Sequence, residues 1–124
     1  MVNNSQVVCI IDDDNSMLRA LGRLVRTFGY EVKLFPSGQQ FLDTRDVENA
    51  ACLIIDVSMP DMNGFELRHW LTAAGHAVPT VFVSAHNDDA VKERAKLAGA
   101  ITVLSKPFEA ELLHDTLKKA IATT

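Results

Sequence analysis

The 124-residue chain is predicted to form an α/β domain in which a doubly wound sheet of five parallel strands is covered by five helices. Two patterns predict this class. Five short apolar runs recur without strict alternation with polar residues, which is typical of strands buried on both faces. Segments with the apolar repeat of a helix separate and follow these runs, so the crossovers are expected to be right-handed. The predicted strands span residues 7–11, 32–35, 52–55, 81–83 and 101–104.

The first two helices have recognisable starts and ends. The first carries one apolar stripe over residues 17–28 and is followed by Gly29, a residue that commonly lies just past a helix. Ser37 and Gln40 have the spacing of a capping box. This box is expected to open a second helix that runs to about Thr44.

The other three helices are marked mainly by their apolar positions. The third is expected to end near Gly75, and its Trp70 is assigned to the core. Asn87 is expected to cap the fourth helix and Gly99 to end it. The apolar positions are Phe65, Leu67, Trp70 and Leu71 in the third helix, Val91, Ala95 and Ala98 in the fourth, and Leu112, Leu113, Leu117, Ala120 and Ile121 in the fifth.

Composition excludes several functions. With 12 Lys and Arg against 16 Asp and Glu, the net charge is −4, and this chain has no basic excess for direct binding of nucleic acid. Its longest apolar run, residues 50–55, is too short to span a membrane, and the N-terminus does not resemble a secretory signal. A cytoplasmic location with no membrane partner is therefore predicted. Cys9 and Cys52 are expected to be buried and unpaired.

Polar side chains (carboxylates, a hydroxyl and an amine) follow four of the predicted strands. Three consecutive aspartates, 12–14, follow the first strand, Asp56 the third, Ser84 the fourth and Lys106 the fifth. Ligands of open α/β sheets bind outside the carboxyl ends of the strands. Clustered carboxylates there repel one another, and their hard oxygens suit Mg²⁺ or Mn²⁺. Asp14 is instead expected to cap the first helix.

These groups also suit phosphoryl transfer. A carboxylate can attack phosphorus to form an aspartyl phosphate, and the reaction depends mostly on positioning and on cations. A metal ion held by the acidic residues would neutralise one phosphoryl oxygen. Lys106 could hold a second oxygen, and Ser84 could donate a hydrogen bond to a third.

Four segments together resemble the receiver domain of bacterial two-component response regulators. They are Ile11-Asp12-Asp13-Asp14, the stretch 55–64 (IDVSMPDMNG), Val83-Ser84-Ala85 and Lys106-Pro107-Phe108. The resemblance covers nearly the whole chain and implies a single receiver domain over residues 1–124. It also implies the flavodoxin-like strand order 2-1-3-4-5.

The resemblance assigns the acidic residues. It implies that Asp56 accepts a phosphoryl group from a sensor histidine kinase. Asp12 and Asp13 would hold Mg²⁺, assisted by Asp56 and by the backbone carbonyl of Ser58. Gly64 is expected to serve a turn that needs the dihedral freedom of glycine.

It also assigns the remaining site residues. Ser84 would be the switch hydroxyl and Lys106 the phosphate-pairing lysine, and the peptide bond before Pro107 would be cis. The chain departs from the family at the switch position three residues before the lysine, where Val103 replaces the usual Tyr or Phe.

As a receiver, the chain would be a signalling module and not an enzyme, catalysing only its own phosphorylation and dephosphorylation. The face formed by the fourth helix, fifth strand and fifth helix would control an output domain or a downstream protein, or form a phosphorylation-dependent homodimer. The charged residues assigned to that face are Lys92, Glu93, Arg94, Lys96, Lys118 and Lys119.

Three other functions fit part of the sequence pattern. A pseudo-receiver that binds partners without phosphorylation is favoured only by Val103. A haloacid-dehalogenase-like phosphatase would use the triple aspartate but leaves Asp56 without a role. A flavodoxin-like cofactor site is disfavoured because three aspartates would repel a phosphate.

Overall fold

The computed structural model describes residues 6–85, 89–100 and 102–122. Their five strands form one sheet in the order β2-β1-β3-β4-β5, and every neighbouring pair is parallel. The predicted fold class and strand order are confirmed. The predicted first residue of the fifth strand, Ile101, lies outside the described residues. The strands are β1 Val7–Ile11, β2 Glu31–Phe35, β3 Ala50–Asp56, β4 Thr80–Ser84 and β5 Thr102–Ser105.

Five α-helices alternate with the strands. They are α1 Asn15–Thr27, α2 Gly38–Leu42, α3 Gly64–Ala73, α4 Asp89–Leu97 and α5 Ala110–Ala122. One turn of 3-10 helix at Asp46–Asn49 was not predicted. The predicted cap of α4, Asn87, lies outside the described residues. In the part of the chain that the structure describes, no helix has the length and apolar character needed to cross a membrane.

The sheet separates two apolar layers. Val8 and Ile10 of β1 pack among residues of α1 and α5 on one side. Cys9 and Ile11 of the same strand pack among residues of α2, α3 and α4 on the other side. Because successive side chains of a strand point to opposite faces, one central strand supplies both layers. This arrangement leaves the carboxyl edge of the sheet open between the two layers of helices.

The ends of the helices agree only partly with the predictions. Asp14 caps α1 as predicted, since its carboxylate accepts hydrogen bonds from the backbone N–H of Ser16 at 2.9 Å and of Met17 at 3.1 Å. Ser37 caps α2 through the N–H of Gln40, but α2 ends two residues before the predicted Thr44.

A complete capping box occurs at α3, where it was not predicted. Asn63 accepts from the N–H of Glu66, and Glu66 accepts from the N–H of Asn63, each at 2.9 Å. This reciprocal pair satisfies two of the backbone donors that a helix start leaves without partners. The box fixes α3 directly after the loop that follows Asp56.

Three predictions about the placement of side chains were wrong. Trp70 is 60% exposed, because Phe65, Leu67 and Leu71 already fill the inner face of α3. Burial on both faces holds for the central strands, but the edge strands β2 and β5 are only partly buried. Arg94 stacks against α3 and is not confined to the predicted α4–β5–α5 face.

The two cysteines are buried and free, as predicted. Cys9 on β1 and Cys52 on the neighbouring β3 are both fully buried, but they belong to opposite apolar layers. Burial raises the pKa of each thiol to about 12. The sheet backbone therefore separates two thiols that are close in register.

Candidate functional site

Four strands deliver polar side chains to the same edge of the sheet. Asp12 directly follows β1, and its backbone N–H donates to the carbonyl of Phe35 at 3.1 Å. Asp56 is the last residue of β3, and Ser84 is the last residue of β4. The N–H of Lys106 donates to the carbonyl of Ser84 at 2.9 Å, which continues the β4–β5 pairing by one residue. Parallel pairing thus brings these residues together from distant parts of the sequence.

Three carboxylates form the acidic part of the site. Asp12, Asp13 and Asp56 each offer an oxygen, and the three atoms lie within 4.8 Å of one another. Asp12 is fully buried and Asp56 is 6% exposed, whereas Asp13 is exposed. Like charges at this spacing, with two of the groups buried, favour protonation or a bound cation.

The carboxyl group of Asp56 has a raised pKa. Burial and the charge of Asp12 raise the pKa of Asp56 to about 6, against the opposing effects of Lys106 and of a hydrogen bond from Ser58. That hydrogen bond runs from the N–H of Ser58 to Oδ1 of Asp56 at 3.3 Å. Burial and a neighbouring carboxylate therefore make the ionised form of Asp56 costly at the end of β3.

Lys106 provides the positive charge of the site. Its Nζ lies 3.3 Å from Oδ2 of Asp12 and 3.6 Å from Oδ2 of Asp56, and its side chain is 17% exposed. The peptide bond between Lys106 and Pro107 is cis. One ammonium cannot neutralise three carboxylates, so net negative charge remains at the edge of the sheet.

The residues present fit a small divalent cation. Carboxylate oxygens are hard ligands of the kind that Mg²⁺ and Mn²⁺ prefer, and the exposed Asp13 leaves one side of the cluster open to water. Ser58 lies two residues after Asp56 and is itself exposed. The use of its backbone carbonyl as a further ligand stays a prediction.

Ser84 is the last residue of β4, and Val103 lies on the adjoining strand β5. Ser84 is 1% exposed at the end of β4. Val103 pairs in register with Phe82 of β4, is half-buried, and borders a cavity of about 230 Å³ between α4 and β5. The switch roles of both residues stay predictions.

The loop after Asp56 is shaped by a close backbone approach that was misread from the sequence. Gly64 does not have a positive φ; instead, a Cβ there would lie 2.6 Å from the backbone oxygen of Asp56. Its N–H donates to the carbonyl of Val57 at 3.0 Å. The residue that does adopt a left-handed conformation is Asp61, with φ of 67°. Glycine is therefore needed at position 64 because any side chain would collide with the backbone of Asp56, and not because the position requires dihedral freedom.

Comparison with known proteins agrees with this geometry. The family model described as response regulator receiver domain matches residues 8–118. The response regulator protein TodT of Pseudomonas putida is 37% identical over 121 residues, which cover 98% of this chain and 53% of TodT. The chain spans about half the length of the curated relatives it matches.

Solved structures give the same result. The response regulator StyR superimposes with a TM-score of 0.88 at 39% identity, covering 96% of this chain and 60% of StyR. FixJ-N superimposes with a TM-score of 0.89 at 30% identity, covering 98% of this chain and 97% of FixJ-N. The similarity thus extends over the whole sheet and its helices.

Proposed function

This chain belongs to the response regulator receiver domain family of two-component systems, and on that basis we propose that Asp56 accepts a phosphoryl group in a reaction that needs Mg²⁺ or Mn²⁺. One observation carries the proposal. Asp56 lies beside two further carboxylates and the ammonium of Lys106, at the carboxyl edge of the sheet. Asp12 and Asp13, with Asp56 and the carbonyl of Ser58, would hold the metal ion.

The chain's own residues account for the transfer step. A carboxylate oxygen of Asp56 forms a bond to phosphorus while the bond from phosphorus to the donor's leaving atom breaks, and the leaving group departs with that electron pair. Lys106, already 3.6 Å from Asp56, pairs with a phosphoryl oxygen. The hydroxyl of Ser84 donates to another. A metal ion held by Asp12, Asp13 and Asp56 would supply positive charge that offsets the negative charge of the phosphoryl group.

The phosphodonor would be a sensor histidine kinase in the cytoplasm, and phosphorylation would act on an output domain or a downstream protein. The new charge at Asp56 would draw in Ser84 and Lys106, which lie at the ends of β4 and β5. These strands lead into α4 and α5, so the α4–β5–α5 face is the surface expected to respond. It carries charges of both signs, which suit a salt-sensitive, phosphorylation-dependent contact such as a homodimer.

The alternatives have less support. A pseudo-receiver would not need the full acidic cluster and its paired lysine. A phosphatase of the haloacid-dehalogenase type needs another acidic pair after Lys106, but Glu111 and Asp115 are exposed on α5. Neither alternative gives a role to the buried Asp56.

Acetyl phosphate with Mg²⁺ tests the proposal directly. Intact mass spectrometry should show a gain of one phosphoryl group, and Asp56→Asn should abolish it. Asp61→Asn, which removes an exposed acid from the same loop, should keep the gain. A pseudo-receiver would show no gain. A gain that persists in Asp56→Asn but is lost in Asp12→Asn would favour the phosphatase.

A further inference from the structure

A groove between α3 and α4 lies beside the acidic cluster without being part of it. It encloses a cavity of about 290 Å³, which adjoins a larger cavity of about 620 Å³ that reaches the loop after Asp56. Volumes of this size are typical of sites for small ligands. The smaller cavity is lined chiefly by Phe65, Arg68, His69, Thr72, Arg94 and Leu97.

Among the residues that the structure describes, the ionisable side chains of the smaller cavity are all basic, although the whole chain has a net charge of −4. Arg68, His69 and Arg94 line it, and no described acidic residue does. Within residues 6–85, 89–100 and 102–122, none of the three forms an ion pair with a carboxylate. The groove therefore has positive charge that the described part of the protein does not balance.

Arg68 makes this imbalance unusual, because it is only 8% exposed. Its Nη1 donates to the carbonyl of Val78 and, at 3.0 Å, to Oγ1 of Thr80, and its Nε donates to the carbonyl of Ala98 at 3.3 Å. All of these acceptors are neutral. Burial lowers the pKa of Arg68, which reflects the cost of holding a charge among dipoles alone.

Arg94 presents a guanidinium on an aromatic support. Its Cζ lies 4.5 Å from the centre of the Phe65 ring, which packs edge-on against Phe82 with 4.9 Å between ring centres. Stacking uses the face of the guanidinium and leaves its N–H edges able to donate. Leu97, at the rim, is 81% exposed. Cationic donors and apolar surface thus converge on one groove.

We propose that this groove binds a small organic anion with an apolar body. Its carboxylate or sulfonate would accept hydrogen bonds from Arg94, and its apolar part would cover Phe65 and Leu97. An anion here would also offset the buried charge of Arg68. The site goes beyond phosphoryl transfer, since it uses none of the acidic residues and needs no metal ion.

The test is a titration of the whole chain with 1-anilinonaphthalene-8-sulfonate, without phosphodonor or Mg²⁺. Binding is expected to saturate at one site, with backbone amide shifts concentrated on the lining residues of α3 and α4. Arg94→Gln should weaken binding about tenfold, the effect of losing one charge-assisted hydrogen bond. Arg23→Gln removes the same charge from the exposed surface of α1, on the other side of the sheet, and should leave binding unchanged.

A second ligand separates the contribution of the ligand's charge to binding from that of its apolar surface. The uncharged analogue N-phenyl-1-naphthylamine should bind at least about tenfold more weakly than the sulfonate. Leu97→Ser, a substitution at an exposed position, should also weaken binding of the sulfonate. Equal binding of the two ligands, equal effects of Arg94→Gln and Arg23→Gln, or shifts centred outside α3 and α4 would overturn the proposal. Phosphorylation of Asp56 is measured separately, so either proposal can fail alone.

Discussion

The ammonium of Lys106 lies 3.6 Å from the carboxylate of Asp56, although the whole of β4 separates their strands in the sheet. The attraction lowers the pKa of Asp56, yet burial and Asp12 outweigh it and the pKa is raised to about 6. The lysine therefore offsets only part of the cost of ionising Asp56. Without a bound cation, the carboxylates of the site repel one another.

Removing the carboxylate of Asp56 should stabilise the metal-free protein. Its pKa is higher in the folded state, about 6, than the ordinary 3.8, so the folded state binds more protons between these values. Stability is therefore lost as pH rises through this window, by at most about 3 kcal/mol. In EDTA, the free energy of unfolding measured with urea should be higher for Asp56→Asn than for wild type at pH 7. The two values should approach each other at pH 4. A difference that does not change with pH would contradict this explanation.

Metal binding should depend on Asp12 and Asp13 but not on Asp14. Asp12→Asn and Asp13→Asn each remove a proposed ligand and should weaken Mn²⁺ binding at least about tenfold, as measured by electron paramagnetic resonance. Asp14→Asn keeps an oxygen to cap α1, so it should preserve both metal affinity and stability. If Asp14→Asn weakened Mn²⁺ as much as the other two, bulk charge and not a defined site would hold the ion.

Gly64→Ala should disturb the loop that holds Asp56. The added Cβ would lie 2.6 Å from the oxygen of Asp56 and 3.1 Å from Cα of Val57, so backbone must move. We expect a loss of about 2 kcal/mol in the free energy of unfolding and slower labelling by acetyl phosphate. Gly22→Ala is the control, because its Cβ would meet only the side chain of Leu34, whose methyls lie at 3.1 and 3.3 Å and can shift. Its stability should change by less than about 1 kcal/mol.

Val103→Tyr should strengthen the coupling between phosphorylation and self-association. The cavity of about 230 Å³ beside Val103 offers space for a ring between α4 and β5, and without one we expect coupling on the order of 1 kcal/mol. Sedimentation velocity with and without beryllofluoride and Mg²⁺ measures it, with Val103→Thr as the ringless control. Tight dimerisation of the wild type that Val103→Tyr does not increase would make the missing ring irrelevant.

The central strands could be predicted closely because their apolar runs, although short, are buried on both faces. β1 agrees at both ends, and β3 and β4 extend only one or two residues beyond the predicted runs. The short α2 was predicted too long, because Thr44 lies beyond its end and donates through both its N–H and its hydroxyl to the carbonyl of Phe41. Trp70 fits the apolar repeat of α3 but lies outside its inner face, since one helix face has room for only some of its apolar residues.

The components of the site could be predicted, but its distances could not. Strand order brings Asp12, Asp56 and Lys106 to one edge, whereas their spacing depends on side-chain packing between strands. The need for glycine at position 64 was explained wrongly, because a close approach between two backbone segments leaves no pattern in the local sequence. The burial of Arg68 was not predictable either, since its acceptors at Val78 and Ala98 lie 10 and 30 residues away in the sequence.

The accessibility of the two cysteines to a reagent can report how the fold opens. Cys52 can be reached only if the layer of α1 and α5 lifts from the sheet, and Cys9 only if the layer of α2, α3 and α4 does. A thiol reagent therefore reads the two layers separately. Alkylation counted by mass at each position would show whether one layer peels away first or whether both open in a single event.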